Sequence, residues 1–238
     1  MAPFAPAGDR IASMQRKHVP NSLTMLRLVF AAAFFGVLQL YRYAEQPASP
    51  GWVLPVATFL FILAAITDAL DGHLARRWNV VSKFGRIMDP FCDKILILGA
   101  VSYLASPRFL DPAAVESGAL RTMASGVYPW MVVLVVAREL LVTGIRGEVE
   151  KAGIAFGATW VGKLKMILQS VVVPVVLVIV MLDPADHLWL GWLRDVLVYA
   201  TVLVTVCSGV PYITGAIRAF SAAGGEAAKN IGPGDGKV

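Results

Sequence analysis

The chain has 238 residues, of which 57% are apolar and 16% charged, and its mean hydropathy is +0.68. Soluble domains carry roughly 45–50% apolar and roughly 25% charged residues, and disorder requires low hydrophobicity, so a large soluble domain and a disordered chain are both excluded. The net charge of +5 would point to nucleic acid in a soluble protein; in a chain this apolar it reads as positive-inside topology and affinity for anionic lipid or phosphate, with no nucleic-acid partner.

Residues 1–18 form a polar, basic leader broken by Pro3 and Pro6, too polar for a cleavable signal peptide. Two readings stay open for 9–18: a short basic helix on the membrane surface, or an unstructured arm. Six apolar segments follow, over 23–41, 52–78, 84–104, 127–149, 160–182 and 190–220. A bilayer crossing takes roughly 20 apolar residues, and backbone groups in lipid must be paired within their own segment. The expected fold is therefore an all-α integral membrane bundle of six transmembrane helices, forming one domain over 19–220. The Gly-rich tail 221–238 reads as flexible. Of the 21 Lys and Arg residues, only Arg42, Arg108, Arg121 and Arg194 fall on one side of this arrangement. The bias places both termini in the cytoplasm. Pro90 and Pro174 are expected kink positions. Trp52, Trp78, Trp130, Trp189 and Trp192 read as interface anchors. Cys92 and Cys207 lie in apolar stretches and make neither a disulfide framework nor a zinc site.

Four aspartates stand out, because ionisable groups at membrane depth are costly and point to function. Asp68 and Asp71 are three apart and Asp89 and Asp93 four apart, so each pair shares a helix face. A turn around 79–82 lets the two helices run antiparallel and brings the pairs together near the cytoplasmic end. Four adjacent carboxylates require cations between them, and an oxygen-only donor set suits Mg²⁺ or Mn²⁺. Two such ions about 3.5–4 Å apart are a common solution for phosphoryl chemistry. Gly72, Ala75 and Gly85 leave room for a ligand or neighbouring helix, and Arg76 offers a planar fork to phosphate. His73 falls on roughly the opposite face and is not expected to be a ligand. An ion path through a channel or transporter would fit less well, since the aspartates cluster at one end.

The pattern Asp68-x2-Asp71-Gly72-x2-Ala75-Arg76-x8-Gly85-x3-Asp89-x3-Asp93 resembles the signature of the CDP-alcohol phosphotransferase family at every position. The opening Pro20-Asn21-x-Leu23-Thr24-x-x-Arg27, the Asp89-Pro90-x-x-Asp93-Lys94 stretch, Ala137-Arg138-Glu139-Leu140 with Gly144-x-Arg146, and Gly162-Lys163-x-Lys165 are similar to the bacterial phosphatidylglycerophosphate synthase branch of it. The similarity runs from about residue 19 to 180; the sixth segment adds little.

The resemblance implies a six-helix bundle of that family's type in the cell inner membrane, with the active site facing the cytoplasm. It implies two Mg²⁺ or Mn²⁺ ions held by Asp68, Asp71, Asp89 and Asp93, with Asp93 also the catalytic base. It implies CDP-diacylglycerol as donor, entering sideways from the membrane lipid, with Asn21, Thr24, Arg27, Gly72, Ala75, Arg76 and Gly85 on the donor side. Asn21 and Thr24 also suit a plain helix cap. Glycerol 3-phosphate is the implied acceptor, its phosphate facing Arg138, Arg146, Lys163 and Lys165; such cations could instead be topology signals or snorkelling anchors. Glu139 either orients Arg138 or is buried with it as a partner. Sibling enzymes of the family take other acceptors and make cardiolipin, phosphatidylinositol phosphate or phosphatidylserine. Members of the family often dimerise, so a homodimer is compatible with the resemblance.

Overall fold

A computed structural model describes residues 7–45, 49–78, 83–151, 160–182, 188–218 and 221, with backbone alone at 7–21, 45, 71–78, 83–90 and 150. The longer helices are α1 (Ala7–Leu38), α2 (Val53–Trp78) and α3 (Lys83–Leu104), then the short α4 (Pro112–Glu116), and α5 (Pro129–Lys151), α6 (Trp160–Met181) and α7 (Leu188–Cys207). Helical turns resume at 210–218. Among the described residues there is no β-strand, only a single antiparallel bridge between Leu110 and Met123. The expected all-helical class is met. α1 starts at Ala7 and runs on past Pro20.

Three described helical stretches are long and apolar enough to cross a membrane: Val53–Leu70, Trp160–Met181 and Leu188–Arg218; Ser22–Leu38 is a shorter apolar helix. The expected segments at α3 and α5 fall short of that criterion because of their charges. α3 carries Lys83, Arg86, Asp89, Asp93 and Lys94, and α5 carries Arg138, Glu139, Arg146, Glu148 and Lys151. Pro174 lies inside α6 as expected.

The described chain forms two compact units: Met1–Val132 with Ser170–Val198, and Val133–Gln169 with Tyr199–Val238. The single domain expected over 19–220 contains parts of both.

In the first unit, α1 packs on α2 and α3. Its buried face reads Thr24, Arg27, Ala31, Phe34, Leu38, the 3-4 spacing of one helical stripe. α2 answers with Leu54, Ala57, Phe61 and Ala64, and α3 with Cys92, Leu96, Ala100 and Leu104. Phe34 meets Phe61 edge to face at 5.5 Å, and Phe35 stacks on Tyr103 at 5.3 Å between centroids. The opposite faces, including Val29, Phe59, Ile62 and Ile66, are exposed.

Helix directions follow from contacts at two levels. Arg27 reaches Asp68 in the second half of α2 and Asp93 midway along α3. Beyond the far end of α1, Gln39 donates to the Tyr103 hydroxyl at 2.5 Å, and Arg108 donates to the backbone carbonyls of Gln39 and Tyr41. α1 and α3 are therefore parallel, and α2 runs against both. At ~1.5 Å rise per residue, Arg27 and Gln39 stand about 18 Å apart along the axis.

The connection after α3 is tied to α7 within the same unit. Asp111 caps α4 by accepting from the Ala113 and Ala114 amides at 3.0 and 3.3 Å. Ser125 donates to the Leu104 carbonyl at 2.5 Å. Buried Arg194 donates to the Ala124 carbonyl at 2.7 Å and, through Nε, to Asp195 Oδ1 at 2.8 Å. Arg121 pairs with the other oxygen of Asp195 at 3.1 Å and lies over the Trp192 ring, 4.3 Å from its centroid. Two of the four arginines set apart by the charge bias thus share one aspartate.

Gly126 closes this loop at φ +68, and a Cβ there would stand 2.7 Å from Arg194 Nε and 2.9 Å from Asp195 Oδ1. Gly118 has the same φ with nothing within 4 Å. Both Gly→Ala changes carry left-handed strain of about 1–3 kcal/mol, but only Gly126→Ala also drives apart a buried ion pair. Gly126→Ala should therefore lower the melting temperature in detergent clearly more than Gly118→Ala, and equal shifts would mean that the Arg194–Asp195 pair yields at little cost.

Candidate active site

The first constellation is built on three helices, with Arg27 within α1, Asp68 in the second half of α2 and Asp93 midway along α3. Asp68 continues the buried α2 stripe, four residues beyond Ala64, and Asp93 follows buried Cys92 midway along α3. Both carboxylates meet the guanidinium of Arg27. Nη2 lies 2.8 Å from Asp68 Oδ1, and Nη1 lies 2.7 Å from Asp93 Oδ1. The Arg27 side chain is 1% exposed, whereas those of Asp68 and Asp93 are 38% and 30% exposed. The cation is thus inside and the carboxylates are at the rim. An arginine buried this deeply needs full charge compensation, and two aspartates from different helices provide it. Thr24, one turn earlier on the same stripe, is also buried.

The structure brings together Arg27, Asp68 and Asp93, the outer aspartates of the pattern and the arginine of the opening motif. Asp71 lies one helical turn beyond Asp68 in α2, and Asp89 one turn before Asp93 in α3. The side chains of Asn21, Asp71, Gly72, Ala75, Arg76, Gly85 and Asp89 lie outside the described residues, as does the expected turn at 79–82. Among the described residues no group of three or more Asp, Glu, His or Cys converges. The donor chemistry nevertheless fits a hard divalent cation. The carboxylate oxygens of Asp68 and Asp93 already converge on one positive centre and are reachable from outside.

The second constellation belongs to the second unit. Arg138, Glu139, Lys165, Gln169, Thr205 and Ser208 are all buried. Glu139 accepts from Arg138 Nη1 at 3.0 Å and from Lys165 Nζ. Arg138 Nη2 also donates to the Ser208 carbonyl at 3.3 Å, and its guanidinium lies 5.7 Å from the Tyr212 ring centroid. Gln169 donates to the Thr205 hydroxyl at 3.2 Å.

Local sequence explains why the Ser208 carbonyl is available. Its helical partner would be the Tyr212 amide, but that amide donates to the Gly209 carbonyl at 3.1 Å, and Pro211 has no N–H to offer. The turn at 208–209 therefore frees an acceptor, and Arg138 takes it. The four expected phosphate-facing cations divide accordingly. Arg138 and Lys165 are buried around Glu139, while Arg146 and Lys163 are exposed. Glu139 is the shared anion of two cations, more than a partner for Arg138 alone.

The polar stripe Thr201, Thr205, Ser208, Tyr212, all buried, is absent from the sequence-derived candidates. Its 4-3-4 spacing was the available signal, hidden in a segment that the motif resemblance hardly reaches.

A family model described as CDP-alcohol phosphatidyltransferase matches residues 17–207. This chain belongs to the CDP-alcohol phosphatidyltransferase family. That match takes in both constellations of this family member up to Thr205. A probable phosphatidylglycerophosphate synthase of Mycobacterium tuberculosis is 34% identical over 214 residues, 90% of this chain and 88% of its own length. A CDP-diacylglycerol–glycerol-3-phosphate 3-phosphatidyltransferase of Cereibacter sphaeroides is 33% identical over 160 residues, covering 66% of this chain and 62% of that relative. One of the same description from Bacillus subtilis is 29% identical over 202 residues, 83% of this chain and 94% of its own.

Proposed function

We propose that this chain transfers the phosphatidyl group of CDP-diacylglycerol to the sn-1 hydroxyl of glycerol 3-phosphate, giving phosphatidylglycerophosphate and CMP. Family membership, the names of the relatives and the convergence of Asp68 and Asp93 on Arg27 support this reading, and the convergence carries the chemistry. The setting is the inner membrane, with six spans, both termini and the active site on the cytoplasmic side. The bias of basic residues supports that orientation.

Asp68, Asp71, Asp89 and Asp93 would hold two Mg²⁺ or Mn²⁺ ions. Bound there, the ions supply neutralisation of the donor pyrophosphate and of the leaving CMP. Asp93 accepts the proton of the sn-1 hydroxyl as that oxygen attacks the phosphorus and the bond to CMP breaks. Gly72, Ala75 and Gly85 leave the backbone approachable, and Arg76 offers its fork to a donor phosphate oxygen. Asn21, Thr24 and Arg27 serve the donor side. Arg146 and Lys163, both exposed, bind the acceptor phosphate directly. Arg138 and Lys165, held by Glu139, add a net positive field without needing to leave their partner.

A micelle assay with CDP-diacylglycerol, Mg²⁺ and labelled glycerol 3-phosphate tests this. Label should pass into lipid in step with CMP release, and excess EDTA should abolish both, with recovery on adding Mg²⁺ or Mn²⁺. CMP release without incorporation of label would move the acceptor to another alcohol. Transfer that persists in EDTA would remove the ions from the mechanism.

A further inference from the structure

We propose that Arg27 is the internal counter-cation of the aspartate cluster: it holds Asp68 and Asp93 together when no divalent ion is bound, and it competes with divalent ions for those carboxylates. This rests on the metal-binding reading of the aspartates given above.

Three observations carry it. The same guanidinium spans two helices, with one nitrogen on each Oδ1 at 2.8 and 2.7 Å, so it occupies the place where a bridging cation would draw the carboxylates together. Arg27 is 1% exposed while both aspartates are about a third exposed, so an arriving ion reaches the carboxylates from the side opposite the guanidinium. The planar guanidinium presents separate N–H groups to the two carboxylates at once, so a cation that takes these oxygens competes with both bonds together. An ion that takes these oxygens has to displace or share two charge-assisted hydrogen bonds and to sit near a fixed positive charge. Both effects lower its affinity. The same bonds spare the metal-free protein the mutual repulsion of its aspartates. Arg27 is thereby a positioning residue that sets the metal affinity of the site.

The test is Mn²⁺ titration by calorimetry of the full-length protein in detergent, stripped with EDTA and dialysed, with thermal melts run alongside. Hydrogen bonds to charged groups are worth enough that Arg27→Gln should bind Mn²⁺ about tenfold more tightly than wild type. Its metal-free form should melt at a lower temperature, and saturating Mn²⁺ should close most of that gap. Arg27→Lys keeps the charge but loses the fork, and should fall between the two. A folded Arg27→Gln protein with equal or weaker Mn²⁺ affinity overturns the proposal. Should Arg27→Gln not fold without metal, Arg27→Lys decides: tighter binding than wild type supports the proposal, and equal or weaker binding overturns it. Wild type that binds no Mn²⁺ would remove the metal site itself, whereas unchanged binding across the variants removes only the role of Arg27.

Discussion

Asp93→Asn is expected to fold and to lose turnover by about a thousandfold or more. General-base catalysis alone contributes roughly 10²–10⁴, and under the proposed mechanism the change also removes a charged metal ligand. The amide keeps the volume of the carboxylate and can still accept from Arg27 through its oxygen, so the link between α1 and α3 is weakened and not cut. Arg27 keeps Asp68 at 2.8 Å as its second partner. The expected result is a near-normal helical circular dichroism spectrum, a modest fall in melting temperature, and CMP release close to background. Near-normal CMP release would overturn Asp93 as base and as ligand. A protein that fails to fold would instead mean that Arg27 tolerates no loss of charge across it.

Glu139→Gln carries the largest expected effect on stability. Glu139 is the acceptor shared by Arg138 and Lys165, and all three are buried. Removing the anion leaves two cations facing each other away from water. Breaking a buried pair by deleting one charge costs about 3–5 kcal/mol, and the like-charge contact adds to it. Thermal unfolding in detergent should show a large drop in melting temperature. The double variant Glu139→Gln with Lys165→Met removes one stranded cation and should recover part of the loss, so the two changes should be strongly non-additive. Additive losses would show that Lys165 draws little from Glu139.

Much of the first constellation was legible in the sequence. The spacing of Asp68, Asp71, Asp89 and Asp93 declares shared helix faces, because 3- and 4-residue steps have one geometric meaning in a helix. The role of Arg27 was legible only in part. Its place in the opening motif marked it for the donor side, but a contact between residues 66 apart in the chain depends on how α1 packs, and no local pattern encodes that. The division of the four cations was not legible either. Arg138 and Arg146 look equivalent as basic residues near one helix end, yet one is buried and the other exposed, decided by the position of Glu139 and by the carbonyl that the Gly209–Pro211 turn releases. The expected six spans rest on apolar length. α3 and α5 have the length but carry several charged residues, among them those of the candidate site, and these dilute the hydropathy signal there.

The parallel pair α1 and α3 is fastened at two levels, by Arg27 to Asp93 midway along α3 and by Gln39 to Tyr103 near its end. Parting the two helices would break both fastenings, one of them an ion pair whose arginine is buried. The two contacts fix the register of α3 against α1. Sliding by one helical turn would cost both at once, so the two helices count mechanically as one element.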